Sequence, residues 1–159
     1  MSRGFTLIEL LIVLVITGLI TGGGILYLSR SNSLQKINTS KQEVLSSLRF
    51  ARNLAITDQK PFGFGNLSQV NVSLDPGGMM ILKPIDTAGS AGTNYLAKDL
   101  TPDGVTITLS AGTTFGFSSY EGRFLGVGNT LIITFSSPEL SVGDTKQLII
   151  TQSGLINDL

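Results

Sequence analysis

The first stretch of this chain able to support chemistry is Gly4-Phe5-Thr6-Leu7-Ile8-Glu9-Leu10, where a glycine precedes a single acid at the edge of an uncharged run. Between Leu10 and Leu28 no side chain carries a charge. An ionised Glu retained at such an edge costs up to about 3 kcal/mol in an apolar surrounding, so its position asks for a cation. Cutting the chain ahead of Phe5 would create one, a free amine at the new N-terminus. The chemistry on offer is therefore release of an amine by proteolysis, followed by charge pairing. Gly4, Phe5 and Glu9 are its candidate residues.

Nothing else in the chain reads as a catalytic constellation. The 159 residues include no His and no Cys, which removes the usual general base, the thiol nucleophile, disulfides and thiolate metal sites. Ser33-Leu34-Gln35-Lys36 has Ser-x-x-Lys spacing, but neither Ser-Asp-Asn nor Lys-Thr-Gly comes after it. Gly63-Phe64-Gly65 and Gly126-Val127-Gly128 precede strands or turns instead of a helix, so they read as tight turns and not as phosphate loops. Glu139, Asp144 and Asp158 are too scattered to converge on calcium and are expected as solvated charges. Asn38, Asn66 and Asn71 head sequons and are expected as unmodified surface residues. Neither an enzyme nor a bound cofactor or metal is expected. Eleven basic and eleven acidic residues cancel, so no bulk attraction to nucleic acid or anionic lipid is indicated.

The elements that must position Glu9 can be read from periodicity. An apolar helix of about 20 residues spans a bilayer core, and residues 5–28 fit that length. Arg3 ahead of it would keep the N-terminus cytoplasmic and send the chain beyond Leu28 across the membrane. No secretory cleavage site stands after the run, so the apolar segment is expected to stay. Residues 29–33 read as a polar hinge. Leu34, Ile37, Val44, Leu45, Leu48, Ala51 and Ala55 then recur at helical spacing, with Phe50 and Leu54 as a smaller patch. Lys60-Pro61 stops the helix near Thr57.

From Phe62 the period becomes two. Val70 to Leu74 and Met79 to Leu82 flank Asp75-Pro76-Gly77-Gly78 as a hairpin. Val105 to Leu109, Thr114 to Phe117, Thr130 to Ser136 and Gln147 to Thr151 read as further strands. Leu131-Ile132-Ile133 and Leu148-Ile149-Ile150 are expected as central, paired strands, and Thr87 to Asn94 as a surface loop. The fold class is α+β, a long N-terminal helical spine packed on an antiparallel β-sheet head. The divisions are a leader 1–4, a transmembrane half-helix 5–28, an amphipathic half 29–60 and a head 61–159.

The Gly4-to-Glu9 motif and the apolar helix after it resemble the type IV pilin and type II secretion pseudopilin superfamily. Ala51-Arg52-Asn53-Leu54-Ala55-Ile56, Phe115-Gly116-Phe117, Glu121-Gly122-Arg123 and Ile149-Ile150-Thr151-Gln152-Ser153-Gly154 look most like a GspH/FimT-type minor pseudopilin. The resemblance implies cleavage between Gly4 and Phe5 by a prepilin peptidase, N-methylation of Phe5, and assembly guided by Glu9. It implies an inner-membrane subunit with its head outside the cytoplasm, which then enters a pilus or pseudopilus. Its partners would be other pilin or pseudopilin subunits, the inner-membrane assembly platform and, before assembly, membrane lipid. Where many pilins carry a proline, this chain has Gly18 and Gly22-Gly23-Gly24. Gly18 with Gly22 has the spacing for close helix packing. The triplet reads as a weak point, each glycine costing about 0.8–1 kcal/mol against alanine. A DNA-binding or adhesive role through head loops is the alternative, with Lys83, Lys98, Arg123 and Lys146 as cations and Tyr95, Phe117 and Tyr120 as stacking surfaces.

Overall fold

The computed structural model describes residues 6–61, 63–100, 104–141 and 143–159, and only the backbone of 22–27. One helix, α1, runs unbroken from Leu7 to Ile56, 50 residues in all, or about 75 Å at ~1.5 Å per residue. The expected hinge at 29–33 is helical. That stretch holds neither Gly nor Pro, and the helix runs through it unbroken. Thr57 closes the helix, its N–H and hydroxyl both reaching the Asn53 carbonyl, at 2.9 and 2.7 Å. Asp58 then turns the chain with φ 50°. Among the described residues, no helix is long and apolar enough to cross a membrane.

The second half of α1 buries the expected stripe. Ile37, Val44, Leu45, Leu48, Ala51 and Ala55 are buried and Leu34 is half-buried. The Phe50 and Leu54 patch divides, with Leu54 in the core and Phe50 facing out. This face of the helix touches strands of two antiparallel sheets, where the sequence alone indicated a single sheet domain.

The first sheet has the order β3-β2-β1-β5-β6, with β1 Leu67–Leu74, β2 Met79–Asp86, β3 Leu96–Asp99, β5 Thr114–Ser118 and β6 Phe124–Leu125. The second has the order β4-β7-β8-β9, with β4 Thr106–Leu109, β7 Thr130–Ser136, β8 Lys146–Thr151 and β9 Ile156–Asp158. The expected hairpin is β1–β2, with Leu74 opposite Met80 and Asp75 Oδ1 accepting from the Met79 N–H at 2.9 Å. The two β-branched runs pair as expected, Leu131 with Ile150, Ile132 with Ile149 and Ile133 with Leu148, in the two middle strands of their sheet. Thr87 to Asn94 is mostly exposed, pinned by Asp86 Oδ1 to the N–H groups of Ala88 and Ser90.

Alternation sends Val70, Val72, Phe115 and Phe117 inward from one sheet and Ile107, Leu131, Ile133, Phe135, Leu148 and Ile150 inward from the other. All join the helix stripe in one core, where burial of apolar area holds spine and head as a unit.

Candidate functional site

Gly4 and Phe5 lie outside the described residues. Glu9 lies in the first turn of α1, where the helix dipole favours an anion. Its side chain is exposed, and its carboxylate meets no partner among the described residues. Large apolar side chains surround it, from Leu7 at 84% exposure to Ile16 at 51%. Thr17 and Thr21 do not interrupt this surface, because their hydroxyls bond back to the Val13 and Thr17 carbonyls, each at 2.7 Å. Within the chain nothing stands within 4 Å of where a Cβ on Gly18 would sit. α1 passes through Gly22, Gly23 and Gly24 as helix, and the surroundings of that triplet are outside the described residues. An apolar surface this long on one helix marks a contact with lipid or with other chains.

Further along the spine, the three late acids expected as solvated charges grip the helix instead. Arg30 donates to both oxygens of Asp144 at 3.2 and 2.9 Å. The Ser33 hydroxyl donates to Glu139. Lys41 donates to both oxygens of Asp158 at 2.7 and 2.8 Å. The β7–β8 loop and strand β9 are thereby strapped to α1, and the acids are occupied by protein donors. Lys41 falls four residues after Ile37 and three before Val44, inside the apolar stripe. A lysine on a core-facing stripe asks for an acid, and that was the legible signal for this pair.

The pair is asymmetric, since the Lys41 side chain is 8% exposed and that of Asp158 is 46% exposed. Lys41→Met is expected to unfold within about 1 kcal/mol of wild type, because the apolar stem is retained and no charge is stranded. Asp158→Asn strands the ammonium and should cost about 1–3 kcal/mol, less than a fully buried pair because water reaches that end. Denaturant titration of both variants checks the order.

At the far end of the spine, the residues that carried the narrower resemblance come together. The Tyr120 N–H donates to the Ala55 carbonyl at 3.0 Å, and the Phe124 N–H to the Gln152 carbonyl at 3.2 Å. Arg52 Nε donates to the Gly122 carbonyl at 3.3 Å. A Cβ on Gly154 would fall 1.9 Å from that same oxygen. Gly154 is therefore a glycine because the turn after β8 meets the backbone of the turn after β5, and Gly122 because the Ile56 and Arg52 side chains at the helix end fill the space a Cβ would need, at 2.7 and 3.2 Å.

Two tyrosines lock this end. The Tyr120 hydroxyl donates to Asp58 at 3.2 Å, and the Tyr95 hydroxyl donates to the Gln59 carbonyl. Both phenols are held above the usual tyrosine range, Tyr95 by burial and then by the Asp58 charge, Tyr120 by its hydrogen bond to Asp58 and then by that charge. A raised folded value means that the stabilisation is complete below the unfolded value of about 10 and is lost as pH rises through the folded values. Denaturation midpoints should therefore fall above about pH 10, and a Tyr95→Phe, Tyr120→Phe variant should show a shallower fall.

The residues proposed for nucleic-acid contact do not assemble. Phe117 is fully buried. Lys98 faces Glu43 of α1 at 3.4 Å and Arg123 faces Glu121 at 3.6 Å. Lys83 and Lys146 belong to different sheets.

Residues 1–25 match the prokaryotic N-terminal methylation motif. Residues 41–154, which take in the buried half of α1, both sheets up to β8 and the Gly122 and Gly154 turns, match the type II transport protein GspH. No curated protein and no solved structure matches the chain. The two matches describe a pilin-type or pseudopilin subunit of type II secretion or type IV pili, a structural protein anchored in the inner membrane that works among other subunits of its kind. With a helix-backed, two-sheet head matched over 114 of its 159 residues (41 to 154), the chain belongs to the type II transport protein GspH family.

Proposed function

We propose that the chain is made as a prepilin, cut between Gly4 and Phe5 by a prepilin peptidase, methylated on the Phe5 amine, and drawn by an inner-membrane platform into a filament as a minor subunit. The observation that carries this reading is Glu9, an exposed acid without a partner among the described residues at the head of an apolar helix, inside a matched methylation motif. Before assembly, lipid covers the apolar half of α1, with the N-terminus cytoplasmic and the head on the far side. The membrane span rests on the uncharged run from Leu10 to Leu28, of which the side chains of 22–27 lie outside the described residues.

Within the filament, Glu9 meets the methylated amine of Phe5, its own or a neighbour's, and the pairing neutralises both charges in an apolar surrounding. Gly18 gives a neighbouring helix room to approach, and Gly22 to Gly24 let the helix stretch where packing demands it. Partner choice belongs to the head, where Phe117 is buried and Lys98 and Arg123 face acids. The test is incorporation: Glu9→Gln should insert in the membrane and fail to enter filaments.

A further inference from the structure

We infer that the β7–β8 loop, through Ser137 to Ser141 and Asp144, rests in the lipid headgroup layer and sets the height at which the head stands on the membrane. This rests on the proposal that the apolar half of α1 spans the bilayer.

α1 acts as a rod whose length fixes heights above the bilayer core. α1 is continuous through Leu28, Arg30 and Ser33, so Arg30 stands about 3 Å and Ser33 about 7.5 Å above Leu28 at ~1.5 Å per residue. The headgroup layer on each side of a ~30 Å core is about 5–7 Å deep. Asp144 is bound to Arg30 at 2.9 Å, and Glu139 is bound to Ser33. A loop tied at those two heights runs from within that layer to its outer edge, and helix tilt lowers it further.

The chemistry of the loop suits that place. Of its two carboxylates, Asp144 is neutralised by the Arg30 guanidinium and Glu139 accepts from the Ser33 hydroxyl. Ser137, Ser141 and Thr145 offer neutral hydroxyls suited to phosphate and glycerol oxygens. Tyr120 lies at the opposite end of the buried helix, bonded to Ala55, about 37 Å from Arg30 at ~1.5 Å per residue. The loop would thus touch lipid while the motif-bearing turns stand clear of it.

The chain contains no Trp, so single tryptophans report depth directly. The full chain would be placed in phosphatidylethanolamine and phosphatidylglycerol vesicles carrying a nitroxide either on the headgroup or midway along the acyl chain. Ser141→Trp emission is expected to fall about twofold with the headgroup quencher and little with the acyl one, the layer being only about 5–7 Å deep. Pro138→Trp should behave alike, Leu14→Trp should respond to the acyl quencher, and Tyr120→Trp to neither. If Leu14→Trp is quenched from the acyl chain while neither loop probe responds to the headgroup, the loop placement is overturned and the span stands. If Leu14→Trp ignores the acyl quencher, span and placement fall together. Loop emission that shifts with protein density and not with the headgroup quencher marks a protein neighbour and also overturns the placement.

Discussion

Gly154→Ala should unfold far more easily than wild type, with a loss of about 2–5 kcal/mol. Two independent costs add there. The residue has φ +76°, a conformation that costs an L-residue about 1–2 kcal/mol. Its new methyl would also overlap the Gly122 carbonyl oxygen at 1.9 Å, and relieving such an overlap by moving backbone typically costs about 1–3 kcal/mol. Gly89 separates the two terms, because it has φ +83° and nothing within 4 Å of a built Cβ. Gly89→Ala should therefore lose only about 1–2 kcal/mol. Thermal melts of the full chain in detergent check both, with Gly154→Ala expected to melt about 4–20 °C below wild type. Equal losses at the two sites would mean that the backbone knot at the end of the spine is not what holds the turns together.

That knot also marks how much of the head was legible in the sequence. The long strands were, since Val70 to Leu74 alternates cleanly, Leu131-Ile132-Ile133 is a continuous apolar run rich in β-branched residues, and Asp75-Pro76-Gly77-Gly78 is unambiguous turn chemistry. Strands β3, β6 and β9 were not, because four, two and three residues are too few for a period of two to register. The division into two sheets is a matter of long-range pairing, which no local pattern encodes. The hinge expected at 29–33 came from polarity alone, and polarity does not break a helix that lacks Gly and Pro. Glu139, Asp144 and Asp158 look solvated in the sequence because their partners lie more than a hundred residues away on α1. Lys41, inside an apolar stripe, was the residue from which one of those partnerships could have been read. At the N-terminus the opposite holds. Gly4, Phe5 and Glu9 were legible as a motif, while their functional geometry depends on other chains.

Glu9→Gln should leave the protein folded and membrane-inserted but cut its incorporation into filaments by about 10–100-fold, the equivalent of about 1.5–3 kcal/mol for a charge-assisted bond. Gln preserves the shape of the side chain and one acceptor oxygen, while it removes the charge and puts an NH2 donor in place of the second acceptor. It also removes the cost of placing an ionised acid beside Leu10 to Leu28, so insertion has no reason to suffer. The head, whose core begins at Ile37, should melt as in wild type. Quantitative immunoblotting of membrane and sheared-filament fractions from the same cells separates insertion from assembly. Wild-type incorporation of Glu9→Gln would mean that charge pairing is not the assembly mechanism.

If this chain works as a processed subunit whose new N-terminus is made for Glu9 to meet, mass spectrometry of the N-terminal peptide from protein recovered in assembled filaments will find it beginning at Phe5 with one methyl group on its amine. A peptide still beginning at Met1 would overturn that reading.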